Sequence, residues 1–218
     1  MDKLLALVKR PPGADRLAFC EQLLDGARRA IAQQPQVSGL VLDLVDVPAE
    51  EAGLRAGGQP SYDAVVEIWA DGTAPSATMP LDLPGTAHVY RVNETIERDY
   101  ERAWPLGERS PGVKSIYLAR RRRDMTQDQY AAYWGQKHAP LALSVHVGMW
   151  RYTRNVVTTS APGSDKWDGF AVLHFRTAED LRERFYDSEE GRAAIAADVA
   201  EFTSGGRALH TSEYVLKG

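Results

Sequence analysis

Apolar and polar side chains alternate along residues 169–175, which read "GFAVLHF". Side chains on a β-strand point to opposite faces in turn, so alternation with a period of two is typical of a strand. The two predicted faces carry Phe170, Val172 and His174 on one side, and Ala171, Leu173 and Phe175 on the other.

Similar patterns divide the second half of the chain into a series of elements. They are a strand (115–121), a helix (126–139), two strands (147–157 and 169–175), a helical region (178–186 and 188–202) and a last strand (209–216). Thr126 and Thr177 are residues of the type that caps a helix N-terminus, and Asp187-Ser-Glu-Glu190 predicts a short break near residue 187. Pro140 cannot donate a backbone hydrogen bond, so the first helix is predicted to loosen or end there.

The first half of the chain repeats this order of elements at low identity. The matching runs are "KLLALVKRPPGADRLAFCEQLLDGARRA" with "SIYLARRRRDMTQDQYAAYWGQKHAPLA", "VSGLVLDLVDV" with "HVGMWRYTRNVV", and "YDAVVEIWADG" with "WDGFAVLHFRT". Self-similarity of this kind predicts two copies of one structural unit.

The first copy departs from the second in one place. A stretch rich in Pro, Thr and Ala at 73–87, which predicts a loop or at most a single turn, stands where the second copy has a long helix, and a strand at 88–94 follows it. We therefore predict a degenerate repeat at 1–94, a helical linker at 95–112 and a second repeat at 113–218.

A βαββαβ unit lays antiparallel strands under helices on one face and leaves the other sheet face uncovered. Two such units in one chain can set sheet against sheet and enclose a barrel-like cavity. Closure within one chain would make an obligatory dimer unnecessary, and it leaves a homodimer through the helical faces or strand edges open.

Composition narrows the classes of partner. The 218 residues are 44% hydrophobic and 26% charged, as in an ordinary globular protein, and the formal net charge of −4 argues against a nucleic-acid binder. No apolar run approaches the roughly 20 residues that span a bilayer. A single cysteine cannot form an internal disulfide, and no Cys/His cluster suggests a metal. We expect a cytoplasmic protein that binds neither membrane nor nucleic acid.

The stretch "YAAYWGQKHAPLA" (130–142) carries the main candidate for chemistry. Tyr130, Trp134 and His138 stand at i, i+4 and i+8, so they share one helix face. If that helix covers the sheet, this face points inward and His138 would lie between the two sheets. The helix C-terminus raises an imidazole pKa there, whereas burial lowers it. We predict that His138 is a pocket acid or base; a structural histidine and a haem or metal ligand are the alternatives.

Other side chains are candidates for the same pocket. Tyr133 flanks the His138 face and could share a proton network with it, or pack at the surface. Trp150 and Tyr152 would share one strand face, where they could stack on an aromatic ligand or serve ordinary sheet packing. Trp69 is assigned to the cavity, and His88 and His174 could face it or lie in the core or at the rim. His146 and His210 are expected to be solvated near strand starts. Asp25, the first-copy counterpart of His138, is either solvated or a complementary carboxylate in a second half-site.

The runs "MTQDQYAAYWGQKHAPLA", "GMWRYTRN", "YDSEEGRAAIAADVAEF" and "SEYVL" resemble the EthD family of dimeric α/β barrels over 113–217, with only a weak match over 1–90. The resemblance implies an α+β fold of two ferredoxin-like (βαββαβ) units. Their antiparallel sheets would pack face to face as an intramolecular dimeric α/β barrel with a mostly apolar pocket. Relatives in the wider superfamily include cofactor-free polyketide cyclases, dehydratases, monooxygenases and isomerases, and some haem enzymes.

Motifs for a bound dinucleotide, for a P-loop, for an H-E-x-x-H metalloprotease and for a serine hydrolase are missing from the sequence. We therefore expect an enzyme without a cofactor that acts on a hydrophobic, aromatic or polyketide-like small molecule. His138 and Tyr133 would be catalytic in a dehydration, cyclisation or isomerisation. The expected substrate-binding residues are Tyr130, Trp134, Trp150, Tyr152, His174, His88 and Trp69. The alternatives are a non-catalytic binding protein for a hydrophobic metabolite and a haem-dependent oxidoreductase.

Overall fold

A computed structural model describes residues 2–47, 61–70 and 81–218. In these ranges the strands are β1 (Asp2–Lys9), β2 (Val37–Leu44), β3 (Ala64–Ala70), β4 (Thr86–Arg98), β5 (Val113–Arg121), β6 (Met149–Ser160), β7 (Gly169–Phe175) and β8 (Thr203–Lys217). The helices are α1 (Arg16–Ile31), α2 (Gln127–Tyr133), α3 (Ala139–Val145), α4 (Ala178–Glu183) and α5 (Glu189–Phe202), and a π-helical turn (Trp134–His138) joins α2 to α3.

The described strands form one closed antiparallel barrel in the order β1-β3-β2-β8-β5-β7-β6-β4. Within the barrel, the first half contributes β4-β1-β3-β2 and the second half contributes β8-β5-β7-β6, so the same arrangement occurs twice. The second strand of each half pairs with the last strand of the other half, β2 with β8 and β6 with β4. This pairing confirms the predicted α+β barrel of two ferredoxin-like units within one chain.

Helix α1 covers the outer face of the first sheet. Asp15 caps the helix by accepting a hydrogen bond from the backbone N–H of Ala18. Phe19, Leu23 and Ala27 recur at intervals of four and pack, together with Cys20, on alternate side chains of the strands. These side chains form the interface between α1 and the first sheet.

Buried side chains of the described residues pack across the barrel interior, where a cavity was expected between the sheets. One half of it is apolar and draws side chains from both units, among them Phe170 and Val172 on the face predicted for β7. Its other members include Leu5, Leu7, Val65, Tyr90, Val92, Ile116, Leu118 and Leu209.

The other half of the barrel interior is charged. Lys114 donates from its buried ammonium to Asp43 at 3.1 Å, to Glu67 at 2.5 Å and to Glu213 at 2.8 Å. Lys3 extends the cluster with a second ion pair to Glu67 at 2.5 Å. Asp43 and Glu67 belong to the first unit, whereas Lys114 and Glu213 belong to the second, so this cluster joins the two units.

The predicted helical linker at 95–112 is wrong. β4 continues to Arg98, because β6 offers an edge with which it pairs as far as Arg98 opposite Tyr152. Residues 99–112 are then irregular and cross one end of the barrel, where Tyr100 stacks on Trp150. Of the loop predicted at 73–87, residues 73–80 lie outside the described residues.

The other element boundaries follow the sequence closely. Residues 169–175 form a strand as predicted, and Ser188 caps α5 after a break at 184–188. β8 begins at Thr203 rather than 209, because it stays paired with β5 over its added length. None of the helices in the described ranges combines the length and apolar character that a membrane crossing requires.

Candidate active site

A cavity of about 890 Å³ lies between the outer face of the second sheet and the helices that cover it. Most of its wall is apolar, and exposed Glu189 and Arg192 stand at one end of it. Its lining residues include Tyr117, Tyr130, Trp134, His138, Ala142, His146, Tyr152, Leu173, Leu181 and Ile195. The cavity therefore lies outside the barrel, and the prediction that His138 lies between the two sheets is wrong.

The helix that carries His138 is predicted to loosen or end at Pro140; it loosens into the π-helical turn just before Pro140 and then continues through α3 to Val145. The N–H of Ala139 bonds to the C=O of Trp134, five residues back, so the backbone is wider at this turn. We attribute the continuity to this wide turn, because a π-helical turn can accommodate a residue that lacks an N–H and would clash in a regular α-helix. Pro140 then occupies the first turn of α3, where a missing donor costs nothing.

Every fourth side chain of this helical segment lies on the wall of the cavity. Tyr130, Trp134 and His138 line it as the sequence predicted, and Ala142 and His146 extend the series. A capping box fixes the start of α2, in which Thr126 and Gln129 exchange hydrogen bonds between side chain and backbone.

Asp198 of α5 orients His138. Nδ1 of His138 lies 2.7 Å from Oδ2 of Asp198, and Tyr133 donates from its hydroxyl to Oδ1 of the same carboxylate at 2.9 Å. The structure thus joins Tyr133 to His138 through a residue that was not predicted. Asp198 stands between Ile195 and Val199 on the apolar face of α5, and an acid in that position is a signal that sequence reasoning could have used.

The bond to Asp198 decides which nitrogen of His138 is available. A carboxylate only accepts, so Nδ1 carries the proton and Nε2 keeps its lone pair. Burial lowers the pKa of His138, and the charge of Arg154 adds to this effect, whereas the hydrogen bond and charge of Asp198 raise it. The net pKa lies below 6.5, so His138 is a neutral base at pH 7.

Trp134 and Tyr152 form the wall beside the base. The indole Nε1 of Trp134 donates to the hydroxyl of Tyr152 at 2.7 Å, and both side chains are buried. Arg154 lies over the Trp134 ring at 5.9 Å and is neutralised by Glu97. The predicted candidates Trp134 and Tyr152 therefore meet at the cavity and hold each other in place.

Gly169 allows α2 to lie close to β7 at this wall. A Cβ at this position would be 2.5 Å from Cζ3 of Trp134 and 2.6 Å from the hydroxyl of Tyr130. We expect Gly169→Ala to lower the free energy of unfolding by about 1–3 kcal/mol, because such overpacking forces the helix outward. Urea unfolding measures the change.

The matched control is Gly26→Ala in α1, where the added Cβ would be 3.7 Å from Pro84. Alanine favours a helix interior over glycine, so this variant should be neutral or slightly stabilised. Equal losses of stability in the two variants would contradict the close approach at Gly169.

Other predicted site residues do not reach this cavity. Trp150 leaves the face of Tyr152, because β6 shifts register between Met149 and Arg151, and it packs on Tyr100 and His174 at a barrel end. His174 itself is bonded through Nε2 to the C=O of Pro111 at 2.8 Å.

Two further candidates belong to the first unit and lie elsewhere. Trp69 donates to Glu94 at 2.8 Å and has the ammonium of Lys3 over its ring. His88 accepts a hydrogen bond from the backbone N–H of Asp165 at 2.9 Å.

Asp25, the counterpart of His138, is solvent-exposed and forms an i,i+3 ion pair with Arg28.

The prediction that His146 and His210 are solvated is wrong. Both are buried, and burial lowers the pKa of each to about 4. The ring of His210 contacts Ser115 through Nδ1 at 2.9 Å, and its Nε2 is enclosed without a partner. The ring of His146, in contrast, lines the cavity.

Over the described ranges, no group of three or more His, Cys, Asp or Glu side chains is arranged to hold a metal ion. His138 and His146 are the imidazoles on the cavity, and each has Nδ1 engaged by the protein.

The family model of the EthD domain matches residues 122–206, which include the helices around this cavity and the strands β6 and β7. No curated protein is significantly similar to the sequence. Among solved structures, an anthrone oxidase-like protein is 11% identical, with a TM-score of 0.60, 100% of this chain covered and 94% of that chain.

Two further structures are described as "putative monooxygenase". The one from Lactobacillus acidophilus NCFM is 6% identical, with a TM-score of 0.55 and coverage of 99% and 96% of the two chains. The one from Fusobacterium nucleatum is 10% identical, with a TM-score of 0.52 and coverage of 99% and 92%. Because the sequence identities are only 6–11%, these structural similarities establish a shared fold and nothing about function.

Proposed function

Because this chain carries an EthD domain within an intramolecular dimeric α/β barrel, we propose that it is a small-molecule enzyme in which His138 removes a proton from a largely apolar substrate. The Asp198–His138 pair on an apolar cavity carries this proposal. A neutral imidazole whose Nδ1–H is held by a carboxylate is the arrangement that makes Nε2 a general base.

We infer a substrate with an acidic C–H beside a carbonyl group, because a neutral imidazole needs such a carbon acid, and with an aromatic ring that the apolar wall can contact. Its wall of Trp134, Tyr152 and Leu173 offers flat, apolar contact, and the volume of about 890 Å³ is in the range of sites that bind drug-sized molecules. Proton transfer to Nε2 would leave an enolate on the substrate and an imidazolium on His138. Asp198 would stabilise that imidazolium, and the imidazolium could return the proton at another atom.

An enolate formed in this way can lead to cyclisation, dehydration or isomerisation with no further reactant. The solved structures of similar fold favour a second candidate, oxidation by O₂, because their descriptions name monooxygenases and an anthrone oxidase-like protein. In that reaction a substrate CH₂ loses a proton to His138, its carbanion forms a C–O bond to O₂, and the resulting peroxide anion takes the proton back from the imidazolium to give a carbon-bound hydroperoxide. Loss of water from the hydroperoxide then leaves a carbonyl. Both candidates begin with the same proton abstraction.

Hydrogen exchange tests this shared first step without knowledge of the final product. Anthrone and 2-tetralone, which carry acidic CH₂ groups, are incubated with the protein in D₂O without oxygen, and mass spectrometry follows deuterium uptake. We expect uptake above the buffer rate in the wild type and a return to the buffer rate in His138→Ala. Admission of air then distinguishes the second candidate, which consumes O₂.

The control is His88→Ala, which removes a part-buried imidazole that lies away from the cavity. It should exchange the probes like the wild type. A probe that stabilises the protein against heat and yet exchanges equally in wild type and His138→Ala would contradict the proposal. Bound probe that exchanges in neither protein would favour the non-catalytic binding protein.

A further inference from the structure

His146 is the second imidazole on the cavity, and the proposed proton abstraction does not use it. His138, Ala142 and His146 follow one another at intervals of four on the same wall. At 1.5 Å per residue, eight residues of helix separate the two histidines by about 12 Å along the axis. The small side chain of Ala142 between them leaves this stretch of wall open.

The protein holds His146 in one orientation. Its Nδ1 lies 2.5 Å from the C=O of Phe185, which can only accept, so Nδ1 carries the proton and Nε2 keeps a lone pair. The rings of Phe185 and Tyr186 pack against the imidazole at 4.4 and 5.5 Å between centroids. These contacts clamp the ring between α3 and the segment that connects α4 to α5.

Nε2 of His146 has no hydrogen-bond partner among the described residues. Nε2 of His210 also lacks a partner, but the protein encloses it, whereas the ring of His146 lines the cavity. Because burial brings the pKa of His146 to about 4, the ring stays neutral above pH 5 and remains an acceptor. An acceptor that is oriented, unpaired and placed on a cavity wall is left for a ligand.

The wall between the two histidines is apolar. Ala142, Leu173, Leu181 and Ile195 line it, and the Nε2 atoms of His138 and His146 each present a lone pair. A ligand that fits this wall has a flat apolar body and a hydrogen-bond donor toward each histidine. A ligand that is apolar at the His146 end would leave that nitrogen desolvated and unpaired.

We propose that His146 determines specificity by accepting a hydrogen bond from a hydroxyl or N–H group at the end of the substrate remote from His138. The inference rests on the proposed function only in taking this cavity as the substrate site. It narrows the substrate class to flat apolar molecules that carry a donor distant from the reacting carbon.

A pair of probes of equal length tests the inference through binding alone. 4,4′-Dihydroxybiphenyl carries a donor at both ends, whereas 4-hydroxy-4′-methoxybiphenyl has lost one donor and kept its shape. Calorimetry should show that the dihydroxy probe binds wild type about five- to tenfold more tightly, which corresponds to one hydrogen bond, since each probe can bind in two orientations. Without the acceptor of His146 the methoxy probe keeps only one favourable orientation, and the ratio retains a factor of two from the symmetry of the dihydroxy probe.

In His146→Phe, which keeps a ring of similar size, we expect this ratio to fall to about two. His146→Gln places an amide oxygen near the position of Nε2 and should restore part of the ratio. A ratio that is unchanged in His146→Phe overturns the inference, and so does an equal loss of affinity for both probes, which is the result of a purely structural role.

A measurement on the wild type avoids any question of folding. The ¹⁵N resonance of Nε2 of His146 should move to lower frequency when the dihydroxy probe is added, because the lone pair accepts a hydrogen bond. The methoxy probe should move it less. Saturation with the dihydroxy probe without such movement would overturn the inference, even if His138-dependent exchange had been observed. Failure of that exchange would leave the binding result intact.

Discussion

Methionine in place of Lys114 is expected to lower the free energy of unfolding by about 3–5 kcal/mol. The ammonium of Lys114 is enclosed in the barrel and lies within 3.1 Å of Asp43, Glu67 and Glu213. Its removal leaves buried carboxylates without their shared cation. Since domains of this size are stable by only about 5–15 kcal/mol, the loss should be large in a urea or thermal unfolding experiment.

The loss should depend on pH, because the charge of Lys114 lowers the pKa of Glu213, whereas burial keeps the pKa of Asp43 well above its ordinary value despite the charge of Lys114. Burial raises the pKa of Glu213, but the positive charge of Lys114 outweighs burial and the pKa falls to about 2, compared with 4.5 for an ordinary glutamate. A lowered folded-state pKa stabilises the protein above pH 4.5, and this stabilisation is lost as the pH falls toward 2. Lys114→Met lacks that contribution, so the difference from wild type should narrow below pH 4.5.

Lys137→Met makes the same chemical change at an exposed position of the π-helical turn. It should alter the free energy of unfolding by no more than about 0.5 kcal/mol. A second variant, Lys114→Met combined with Glu213→Gln, removes a buried carboxylate whose cation is lost, and it should recover part of the loss. If Lys114→Met unfolds like Lys137→Met, the charged cluster does not stabilise the barrel.

Asparagine in place of Asp198 is expected to lower kcat/KM about a hundredfold or more, once a substrate is known from the exchange experiment. The amide keeps the shape of the side chain that contacts His138 at 2.7 Å. It removes the negative charge that would stabilise the imidazolium. It can also donate to Nδ1 and so favour the tautomer whose Nε2 is protonated and cannot act as a base.

The pH dependence of kcat/KM should shift to lower pH in Asp198→Asn. A general base works when it is neutral, so kcat/KM should rise with pH through the pKa of His138, which lies below 6.5. Asp198 raises this pKa through its hydrogen bond and its charge. In Asp198→Asn the rising limb should therefore move to lower pH, while the plateau is reduced.

Glu201→Gln is the matched control, because it converts an acid to an amide one turn later on α5 at an exposed position. Its activity should equal that of the wild type. Tyr133→Phe removes one hydrogen bond to Asp198 but keeps the charge, and a loss of no more than about tenfold is expected. Full activity in Asp198→Asn would show that Asp198 does not support the base.

Much of the candidate site was visible in the sequence because it depends on one helix. The spacing of Tyr130, Trp134 and His138 is a local property, and the structure brings them to one wall together with Tyr152. Asp198 lies 60 residues from His138 in the sequence, and no local pattern reports that contact. His146 follows the same spacing of four, but it comes after Pro140, where the helix is predicted to loosen or end.

The charged cluster shows a similar limit. Lys114 opens a strand that reads "VKSIYLARR", and a lysine in that position is ordinarily solvated. Its burial depends on carboxylates supplied by three other strands, of which two belong to the other unit. A long-range contact of this kind follows from barrel closure and not from the alternation of residues along one strand.

The sequence by itself determined the order of elements and the repeat of the unit. It also determined the helix caps at Thr126 and Ser188, and which side chains of β7 share a face. These features depend on neighbours within a few residues. Only the tertiary structure decided which set faces the barrel interior and which faces the helices, and hence that His138 lies outside the barrel. Both sets on β7 are largely apolar and buried, because a barrel covered by helices has two hydrophobic layers, and period alone cannot distinguish them.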